Sequence, residues 1–381
     1  MITVTDKSRC TGCTACLSAC PADCIAMRRD EEGFVYPVAD PMACIDCGKC
    51  VSVCPVLNPR KESEPLKAYA LRVPEYVDGS SSGGVFPYLA ADVVKDGGVV
   101  FGSVIREDMT VAHVPVDTSE GIGMLRGSKY VQSDMGGVLE EVKTCLDAGR
   151  RVLFSGTPCQ IAGLKSFLGK EYDTLLSVEV ACHGVPGPGL WEKYIEALEN
   201  RYGAKIRKVT FRDKSRSWMH YDFTVVTETS RFSVPYTKDP YMSLFVQDLT
   251  LRPSCYSCPA RNGRSGSDLC LADLWTVADL SKEMNDDKGA SLALVYTDKG
   301  AEALKGLSAR AVDYRTASGN NGGFAASVDV PKRRTEFFRG LGYTNDLLAF
   351  MKGFVVRKPW YMTLYRSTRS FLSGLKRRML K

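Results

Sequence analysis

A four-cysteine pattern occurs twice within the first sixty residues and constrains the fold more than any other feature of the chain. The first copy runs from Cys10 to Cys20 and the second from Cys44 to Cys54, with two, two and three residues between successive cysteines and a proline after the last. Three closely spaced thiolates can ligate three irons of one cubic cluster, and a distant fourth thiolate completes the set. The repeat therefore predicts two [4Fe–4S] clusters in one small domain.

The ligand sets follow from the way such repeats share their cysteines, because the fourth cysteine of each copy ligates the other cluster. The predicted ligands are Cys10, Cys13, Cys16 and Cys54 for the first cluster, and Cys44, Cys47, Cys50 and Cys20 for the second. Zinc is the alternative for paired cysteines, but two complete copies with a trailing proline favour a bacterial-type ferredoxin domain over residues 1–60. Cys24 lies outside the pattern and is expected to be a small buried residue beside a cluster.

The 381 residues exceed what one hydrophobic core usually serves, so at least one further domain is expected after the cysteine repeat. With 44% hydrophobic and 25% charged residues, the composition is that of an ordinary globular protein, and no run of eighteen apolar residues is free of charges. The N-terminus shows no apolar signal segment. Because the cysteines have ligand spacing, we expect a protein of a reducing compartment, the cytoplasm.

Beyond a polar connector at residues 58–65, short β-branched runs alternate with amphipathic segments of helical length, which is typical of an α/β body. The predicted helices are 85–95, 138–148 and 189–201, and the predicted strands are 98–102, 151–154 and 175–180. Residues 206–236 contain alternating apolar and polar side chains, which predicts an added antiparallel β meander. The predicted fold class is thus α+β for the ferredoxin domain, followed by an α/β body with this meander.

The predicted domains are a two-cluster ferredoxin domain at 1–60, two halves of the α/β body at 67–150 and 151–320, and a helical, basic C-terminal region at 321–381. The net charge is +6, but the last thirty residues contain nine Lys or Arg and no acidic residue, which leaves −3 for the rest. The basic charge is therefore local and does not predict nucleic-acid binding. A basic amphipathic helix can lie on an anionic membrane or dock on a partner, and alternatively it packs on the body with its cationic face in solvent.

Four later cysteines form a second candidate metal site. Cys159 and Cys182 each follow a predicted strand, at the carboxyl edge where α/β proteins place their sites. Cys255 and Cys258 form a pair with two residues between them. Four thiolates can hold either a third iron–sulfur cluster or a zinc ion, and metal analysis distinguishes the two.

Five further segments, together with the cysteine repeat, carry a resemblance to a known family. They are Ser80–Gly84, Arg126–Ser133, Phe154–Gln160, Cys182–Pro186 and Leu251–Cys258, in that order. In these segments the chain resembles the beta subunits of coenzyme F420-reducing hydrogenase and dehydrogenase, in the version fused to an N-terminal ferredoxin. The resemblance implies an FAD-containing iron–sulfur oxidoreductase domain and hence a flavin-binding α/β body.

The resemblance also implies roles for individual residues. The flavin would be surrounded by Ser81, Ser82, Gly83, Gly84, Ser128, Lys129 and Tyr130, with Thr157 and Gln160 nearby. The third [4Fe–4S] cluster would be ligated by Cys159, Cys182, Cys255 and Cys258. The catalytic candidates are His183 and Lys129.

Taken by themselves, the same residues allow simpler interpretations. The Ser80–Gly84 segment offers hydroxyl groups and close backbone approach before a predicted helix, which suits a diphosphate, but it equally suits a serine N-cap. Lys129 could be a solvated surface group, and His183 could hydrogen-bond the loop that presents its neighbouring cysteine. Arg212 and Asp213 could bind a polar substrate or form a surface ion pair.

The leading hypothesis is an iron–sulfur flavoprotein oxidoreductase. Its ferredoxin clusters would relay single electrons to or from FAD, and FAD would exchange a hydride with a deazaflavin-like or other small-molecule substrate. The expected partners are this small molecule and a redox protein such as ferredoxin or another oxidoreductase subunit. The alternative is an electron-transfer module that has clusters but no catalytic flavin and serves a separate redox enzyme. Flavin content distinguishes the two.

Overall fold

The described residues form three β-sheets, and the largest has eight strands. The computed structural model describes residues 1–318, 321, 324 and 326–356. The strands are β1 Ile25–Arg29, β2 Val35–Ala39, β3 Lys67–Leu71, β4 Val99–Ile105, β5 Val111–Val116, β6 Val152–Gly156, β7 Leu175–Val180, β8 Ile206–Asp213, β9 Asp222–Thr227, β10 Arg231–Pro235, β11 Leu269–Asp273, β12 Ser291–Val295 and β13 Ala309–Ala311.

Helices connect most of these strands. They are α1 Ala15–Ser18, α2 Lys49–Ser52, α3 Pro74–Val77, α4 Val85–Lys95, α5 Ile122–Leu125, α6 Val138–Asp147, α7 Pro158–Leu168, α8 Pro188–Tyr202, α9 Pro240–Val246, α10 Val277–Leu280, α11 Asp298–Ala303, α12 Tyr314–Ser318, α13 Arg334–Leu341 and α14 Leu347–Phe354. Short 3₁₀ turns occupy Lys7–Arg9 and Pro253–Ser257.

The duplication in the sequence is also a duplication in the backbone. After the second cysteine of each copy the chain enters the left-handed region, with φ of 64° at Thr14 and 73° at Gly48. The four-residue helices α1 and α2 follow directly. Strands β1 and β2 lie between the two copies and pair antiparallel. Both cysteine loops therefore have the same local conformation.

The eight-stranded sheet has the order β13-β3-β12-β11-β7-β6-β4-β5. Its four central strands, β11, β7, β6 and β4, are parallel, and the strands on either side pair antiparallel. The carboxyl ends of parallel strands lie at one edge of a sheet, and in α/β folds this edge is where ligands bind. The loops that follow β6, β7 and β11 therefore meet at one edge.

Helices cover both faces of this sheet. Along β4, Val100 and Val104 belong to the core that contains Leu89 and Val93 of α4, whereas Val99 and Phe101 belong to the core formed with α6 and α7. Successive side chains of a strand point to opposite faces. Burial of both faces explains why the central strands consist of almost uninterrupted apolar residues.

The three-stranded sheet β10-β9-β8 packs on α8. Trp191 and Tyr194 of that helix are fully buried against Phe211 and Phe223 of the sheet. The indole N–H of Trp191 donates to the Met109 carbonyl at 2.7 Å, so its polar atom is satisfied. Helices α13 and α14 extend the same aromatic core.

The N-terminal unit is docked against this body by close backbone packing and ion pairs. A Cβ atom built on Gly33 would lie 2.8 Å from the Gly189 Cα at the start of α8, so only glycine fits there. The Arg334 guanidinium binds both oxygens of Glu32 at 2.8 and 2.5 Å, and this pair is largely buried. The position of the cysteine loops relative to the large sheet is therefore fixed by specific contacts.

The expected mixed α/β architecture is confirmed. The helix predicted at 85–95 and the strand predicted at 175–180 have the predicted bounds, and the meander is antiparallel. The large sheet is parallel only at its centre. Within the described residues, no helix is long and apolar enough to cross a membrane. The basic tail falls mostly on residues 357–381, which lie outside the described residues.

Candidate functional site

A cavity of about 570 Å³ lies at the carboxyl edge of the parallel strands. Its walls are formed by the loops at 80–87, 125–133, 155–160 and 180–185, together with residues of β8, the 3₁₀ turn at Pro253–Ser257 and the end of β11. Small-molecule and cofactor sites usually enclose about 300–1,000 Å³. The cavity is therefore large enough for a sizeable ligand.

The four later cysteines are brought together in the wall of this cavity. Cys159 lies in the first turn of α7, and Cys182 follows β7. Cys255 lies in the 3₁₀ turn at Pro253–Ser257, and Cys258 directly follows that turn. Burial raises the pKa of the Cys159 thiol well above its ordinary value, and the neighbouring Cys258, Cys182 and Cys255 thiols raise it further. The chain thus gathers residues almost one hundred positions apart into one thiol group. Across the described part of the chain, no three His, Cys, Asp or Glu side chains converge as ligands of a single ion.

The eight cysteines of the repeat line two separate cavities in the predicted combinations. Cys10, Cys13, Cys16 and Cys54 line a cavity of about 240 Å³. Cys20, Cys44, Cys47 and Cys50 line a smaller space of about 10 Å³. Each cavity has three cysteines from one copy and one from the other. Cys24 is buried beside the second group, with its Sγ 3.4 Å from that of Cys20.

A buried arginine joins the first cysteine group to the central cavity. Arg252 is 1% exposed, and its Nε donates to the Cys10 carbonyl at 2.8 Å. Its Nη2 lies 3.7 Å from the Cys10 Sγ, and its Nη1 donates to Gln132 Oε1 at 2.9 Å. Three residues later, the Cys255 N–H donates to the Arg252 carbonyl at 2.9 Å. A short covalent and hydrogen-bonded path therefore connects Cys10 with Cys255.

Helix α7 provides a second contact between the same two groups. A Cβ atom built on Gly163 would lie 2.7 Å from the Cβ and 2.9 Å from the Sγ of Cys13. Cys13 therefore packs directly on the helix backbone, one turn after Cys159. This close approach requires glycine at position 163.

The Ser80–Gly84 segment lines the cavity, but its polar groups are partly engaged. Ser81 Oγ and Ser128 Oγ are hydrogen-bonded at 2.8 Å, and Ser82 Oγ donates to the Ala290 carbonyl. The Gly83 N–H donates to a serine of β12. No side chain caps the first turn of α4, where Gly84 has a φ of 84°. The serine N-cap alternative is therefore wrong. The backbone N–H groups in the first turn of α4 remain available to a different hydrogen-bond acceptor.

Lys129 lies in the cavity wall, where its ammonium is held by the backbone. Burial lowers the pKa of Lys129 to about 7. Its Nζ donates to the carbonyls of Met124, Leu125 and Arg126 at 3.2, 2.8 and 2.9 Å. The alternative of a solvated surface lysine is wrong, because this ammonium caps the end of α5. Tyr130 beside it stacks on Phe245 with ring centroids 4.6 Å apart.

Thr157 and Gln160 belong to a hydrogen-bonded network that sequence reasoning did not anticipate. Gln160 Oε1 accepts from the Thr157 N–H at 2.9 Å, and its Nε2 donates to Ser133 Oγ at 2.9 Å. Ser133 Oγ lies 2.8 Å from His113 Nδ1, and His113 Nε2 lies 3.0 Å from the Ser155 carbonyl. Since that carbonyl can only accept, the ring is protonated at Nε2. Burial lowers the pKa of His113 to about 4, so the ring is neutral. The isolated His113 carried no sequence signal.

His183 also lies in the cavity wall, between a carboxylate and an aromatic ring. Its Nε2 lies 2.5 Å from Asp248 Oδ1, and its ring meets Phe245 edge-on. Asp248 holds a left-handed backbone conformation with φ of 65°. The hydrogen bond fixes the orientation of the imidazole ring. Asp248 was not predicted, because it lies 65 residues from His183.

The surface ion pair that the sequence offered for Arg212 and Asp213 is not formed between these two residues. Arg212 does not pair with its neighbour Asp213 at the surface; its side chain is 4% exposed and binds Asp273 at 2.5 Å. Asp213 instead binds Arg231. Both Arg212 and Asp273 line the cavity, together with Tyr221 and Trp275.

Comparisons with known proteins agree with these observations. A family model that describes the C-terminal part of the coenzyme F420 hydrogenase/dehydrogenase beta subunit matches residues 149–317. A 4Fe-4S dicluster domain model matches residues 9–58. No curated protein matches the chain significantly.

Among solved structures, the xenon-derivatised F420-reducing [NiFe] hydrogenase complex from Methanosarcina barkeri has a similar chain. The TM-score is 0.43 at 17% identity, over 66% of this chain and 83% of the other. The two family matches cover the cysteine repeat and all four later cysteines. Residues 149–317 therefore match the C-terminal part of the coenzyme F420 hydrogenase/dehydrogenase beta subunit, and the chain is an iron–sulfur electron-transfer module related to that subunit, with a 4Fe-4S dicluster domain at its N-terminus.

Proposed function

We propose that the chain is an iron–sulfur flavoprotein oxidoreductase in which three [4Fe–4S] clusters connect the protein surface with an FAD in the central cavity. The observation that carries this proposal is the continuity of the three thiol groups, which begins with Cys16 of the first group and Cys50 of the second in one buried cluster. The first group contacts α7, which carries Cys159, and Arg252, which lies three residues before Cys255. Both Cys159 and Cys255 line the cavity. In this proposal residues 1–60 are the ferredoxin domain and residues 67–320 are the flavin-binding body.

The chemistry of the donor sets supports clusters at all three groups. Thiolates alone are the usual ligands of [4Fe–4S] clusters, and each group offers four of them. Four thiolates around one zinc lie close together, at about 2.3 Å from the metal. The thiols of the third group are near enough to perturb one another. We propose a [4Fe–4S] cluster there because the two cysteine groups of the repeat have the same all-thiolate donor set, and the metal analysis below distinguishes it from zinc.

The central cavity supports FAD. Its volume of about 570 Å³ suits a cofactor, and the uncapped start of α4 offers backbone N–H groups for a diphosphate. Ser81, Ser128, Lys129 and Tyr130 line the adjoining wall. When bound, FAD would exchange a hydride with a small molecule and single electrons with the clusters.

The side chains around the cavity would position the reactants. Lys129 fixes the turn that carries Ser128 and Tyr130, through its three carbonyl partners. Asp248 holds His183 through Nε2, which leaves Nδ1 to hold or release a proton during turnover. The substrate would be a deazaflavin-like or other small molecule, and the electron partner a ferredoxin or another oxidoreductase subunit.

Anaerobic purification with metal and flavin analysis tests this proposal. We expect about twelve irons per chain, four for each cluster, and one releasable FAD. The double variant Cys255→Ala/Cys258→Ala should lose about four irons and keep the eight of the dicluster domain. Cys145→Ala is the matched control, because this partly buried cysteine of α6 lies outside all three groups.

Two results would contradict parts of the proposal. About eight irons with one zinc would replace the third cluster by a structural zinc site. Clusters without releasable FAD would mean that the chain is an electron-transfer module that serves a separate enzyme.

A further inference from the structure

The hydrogen-bonded network in the cavity wall ends at Cys159, a cysteine of the third thiol group. Thr157 directly precedes α7, and its Oγ1 lies 3.2 Å from the Cys159 Sγ. The same oxygen lies 3.0 Å from Gln160 Oε1. A threonine hydroxyl has a single proton to donate. The Cys159 sulfur and the Gln160 amide oxygen therefore compete for this proton.

The far end of the network fixes the direction of each bond in it. Because His113 Nε2 donates to the Ser155 carbonyl at 3.0 Å, Nδ1 of the neutral ring accepts from the Ser133 hydroxyl at 2.8 Å. Ser133 Oγ in turn accepts from Gln160 Nε2 at 2.9 Å. Gln160 must then present its carbonyl oxygen to Thr157, since a flipped amide would set two donors against each other at the Thr157 N–H.

Of the two acceptors, the sulfur is the stronger when Cys159 ligates a metal centre. Gln160 Oε1 already accepts the Thr157 N–H at 2.9 Å, so its capacity to accept is partly used. A metal-ligating cysteine is a thiolate. Hydrogen bonds to charged acceptors are about twice as strong as those between neutral groups. The hydroxyl proton of Thr157 therefore points to the Cys159 sulfur.

The side chains that hold Thr157 in place are shielded from water. His113 is 4% exposed and Gln160 is 6% exposed. Hydrogen bonds are electrostatically stronger in such surroundings than in water. Because the network is fixed on the side away from the sulfur, the hydroxyl is already in position when the charge on Cys159 changes.

Hydrogen bonds to the sulfurs help to set the reduction potential of an iron–sulfur cluster. They stabilise the reduced state, in which the sulfurs carry more negative charge. We propose that Thr157 is a positioning residue that raises the reduction potential of the third cluster by donating its hydroxyl proton to Cys159. The inference rests on the proposed function, since it requires a [4Fe–4S] cluster at the third thiol group. Both residues line the central cavity, so the tuned ligand is one that faces it.

The test compares Thr157→Val and Thr157→Ser with the wild-type holoprotein, purified anaerobically. Valine keeps the branched shape without the hydroxyl, whereas serine keeps the hydroxyl. The matched control is Thr144→Val, an exposed threonine of α6 whose hydroxyl donates to the Glu140 carbonyl at 2.9 Å. Redox titration followed by electron paramagnetic resonance gives the potential of the third cluster, whose signal is the one that Cys255→Ala/Cys258→Ala lacks. Iron content and the unfolding midpoint verify that the variants are folded.

Thr157→Val should lower the ratio of reduced to oxidised third cluster about tenfold at a fixed applied potential, which corresponds to about 59 mV for one electron. Thr157→Ser and Thr144→Val should stay within twofold of the wild-type ratio. If Thr157 only supported the start of α7, its loss would lower the unfolding midpoint and leave the potential of the cluster unchanged.

A second measurement detects the proton itself. Electron–nuclear double resonance of the reduced third cluster in H₂O and in D₂O should reveal an exchangeable proton coupling that wild type and Thr157→Ser share and Thr157→Val lacks. This readout also applies to wild-type protein alone, so it still decides if Thr157→Val fails to fold. A wild-type third cluster without any coupled exchangeable proton would overturn the inference.

The remaining outcomes separate the inference from the proposed function. A Thr157→Val protein with full iron and a third-cluster potential equal to that of wild type would overturn the inference alone. Wild-type protein with about eight irons and no third-cluster signal would overturn the third cluster of the proposed function, and the role of Thr157 with it.

Discussion

Arg252 is a buried cation that lies against the first cysteine group. The described residues offer it no carboxylate within ion-pair distance; its partners are carbonyl oxygens, the Gln132 amide and the Cys10 sulfur. The ring of Tyr36 lies 4.2 Å from its Cζ and adds a cation–π contact. An uncompensated buried charge has long electrostatic reach, because little solvent screens it. At this position the charge would favour the reduced, more negative state of a cluster.

We therefore expect Arg252→Gln to lower the reduction potential of the cluster held by Cys10, Cys13, Cys16 and Cys54. A loss of about 1.4 kcal/mol of electrostatic stabilisation corresponds to a shift of about 60 mV for one electron. Redox titration followed by electron paramagnetic resonance measures this potential. Arg252→Lys keeps the charge and should shift it less, and the control is Arg207→Gln, at an arginine of β8 whose side chain is 58% exposed. A potential equal to that of wild type in Arg252→Gln would contradict this role.

The grouping of side chains was predictable where the signal is local in sequence. The eight repeat cysteines are identified by spacing alone, because one loop must place three ligands around one cluster. The partner of Arg212 is Asp273, 61 residues away, although the sequence offers Asp213 as its immediate neighbour. His113 and Asp248 have no informative sequence context. Their roles depend on which loops the folded sheet brings together, and this depends on long-range pairing.

At the scale of elements, α7 shows how one glycine controls the contact between two units. Gly163 is a helix-interior residue, where alanine would normally stabilise the helix by about 1 kcal/mol. Here the added Cβ would lie 2.7 Å from the Cys13 Cβ and 3.3 Å from its carbonyl oxygen. We expect Gly163→Ala to displace the first cysteine loop from α7. The variant should lose stability and contain fewer irons than wild type.

Gly353 of α14 is the control for this variant, because a Cβ at that position meets nothing within 4 Å. Gly353→Ala should be neutral or slightly stabilising and should keep the full iron content. Chemical unfolding and iron analysis of both variants measure these effects. A Gly163→Ala protein as stable and as iron-rich as Gly353→Ala would show that the contact between α7 and the cysteine loop is unimportant.

The elements themselves were predictable to different degrees. The helix at 85–95 is specified by its own amphipathic pattern, and the strand at 175–180 by its apolar run. Strand order was not predictable, because β11 joins the sheet between β7 and β12 although almost ninety residues separate β7 from β11. No local pattern encodes such a pairing. Since Asp273 ends β11, the wall that carries Arg212 depends on that unpredicted step.

Across the whole molecule, the thiol groups range from exposed to buried. Cys47 of the second group is exposed, Cys13 and Cys16 of the first group are buried, and Cys159 lies in the wall of the central cavity. Large apolar side chains beside Cys47 are also exposed, with Met42 at 93% and Ile45 at 65%. Exposed apolar groups that cluster on a soluble protein often mark a contact surface. The second cluster is therefore the expected point of electron exchange with a one-electron redox protein.

The double variant Met42→Glu/Ile45→Glu tests this direction of transfer. It places two carboxylates on a surface that would be desolvated in the encounter with a protein donor, so reduction by a reduced bacterial ferredoxin should slow about tenfold. Reduction by dithionite should be unchanged, because a small reductant needs no docking surface. Tyr343→Glu, at an 85% exposed residue between α13 and α14, should leave both rates at the wild-type value. Stopped-flow absorbance measures the rates of both reductants for the wild type and the two variants, and equal ferredoxin rates for the double variant and Tyr343→Glu would place the entry point elsewhere on the protein.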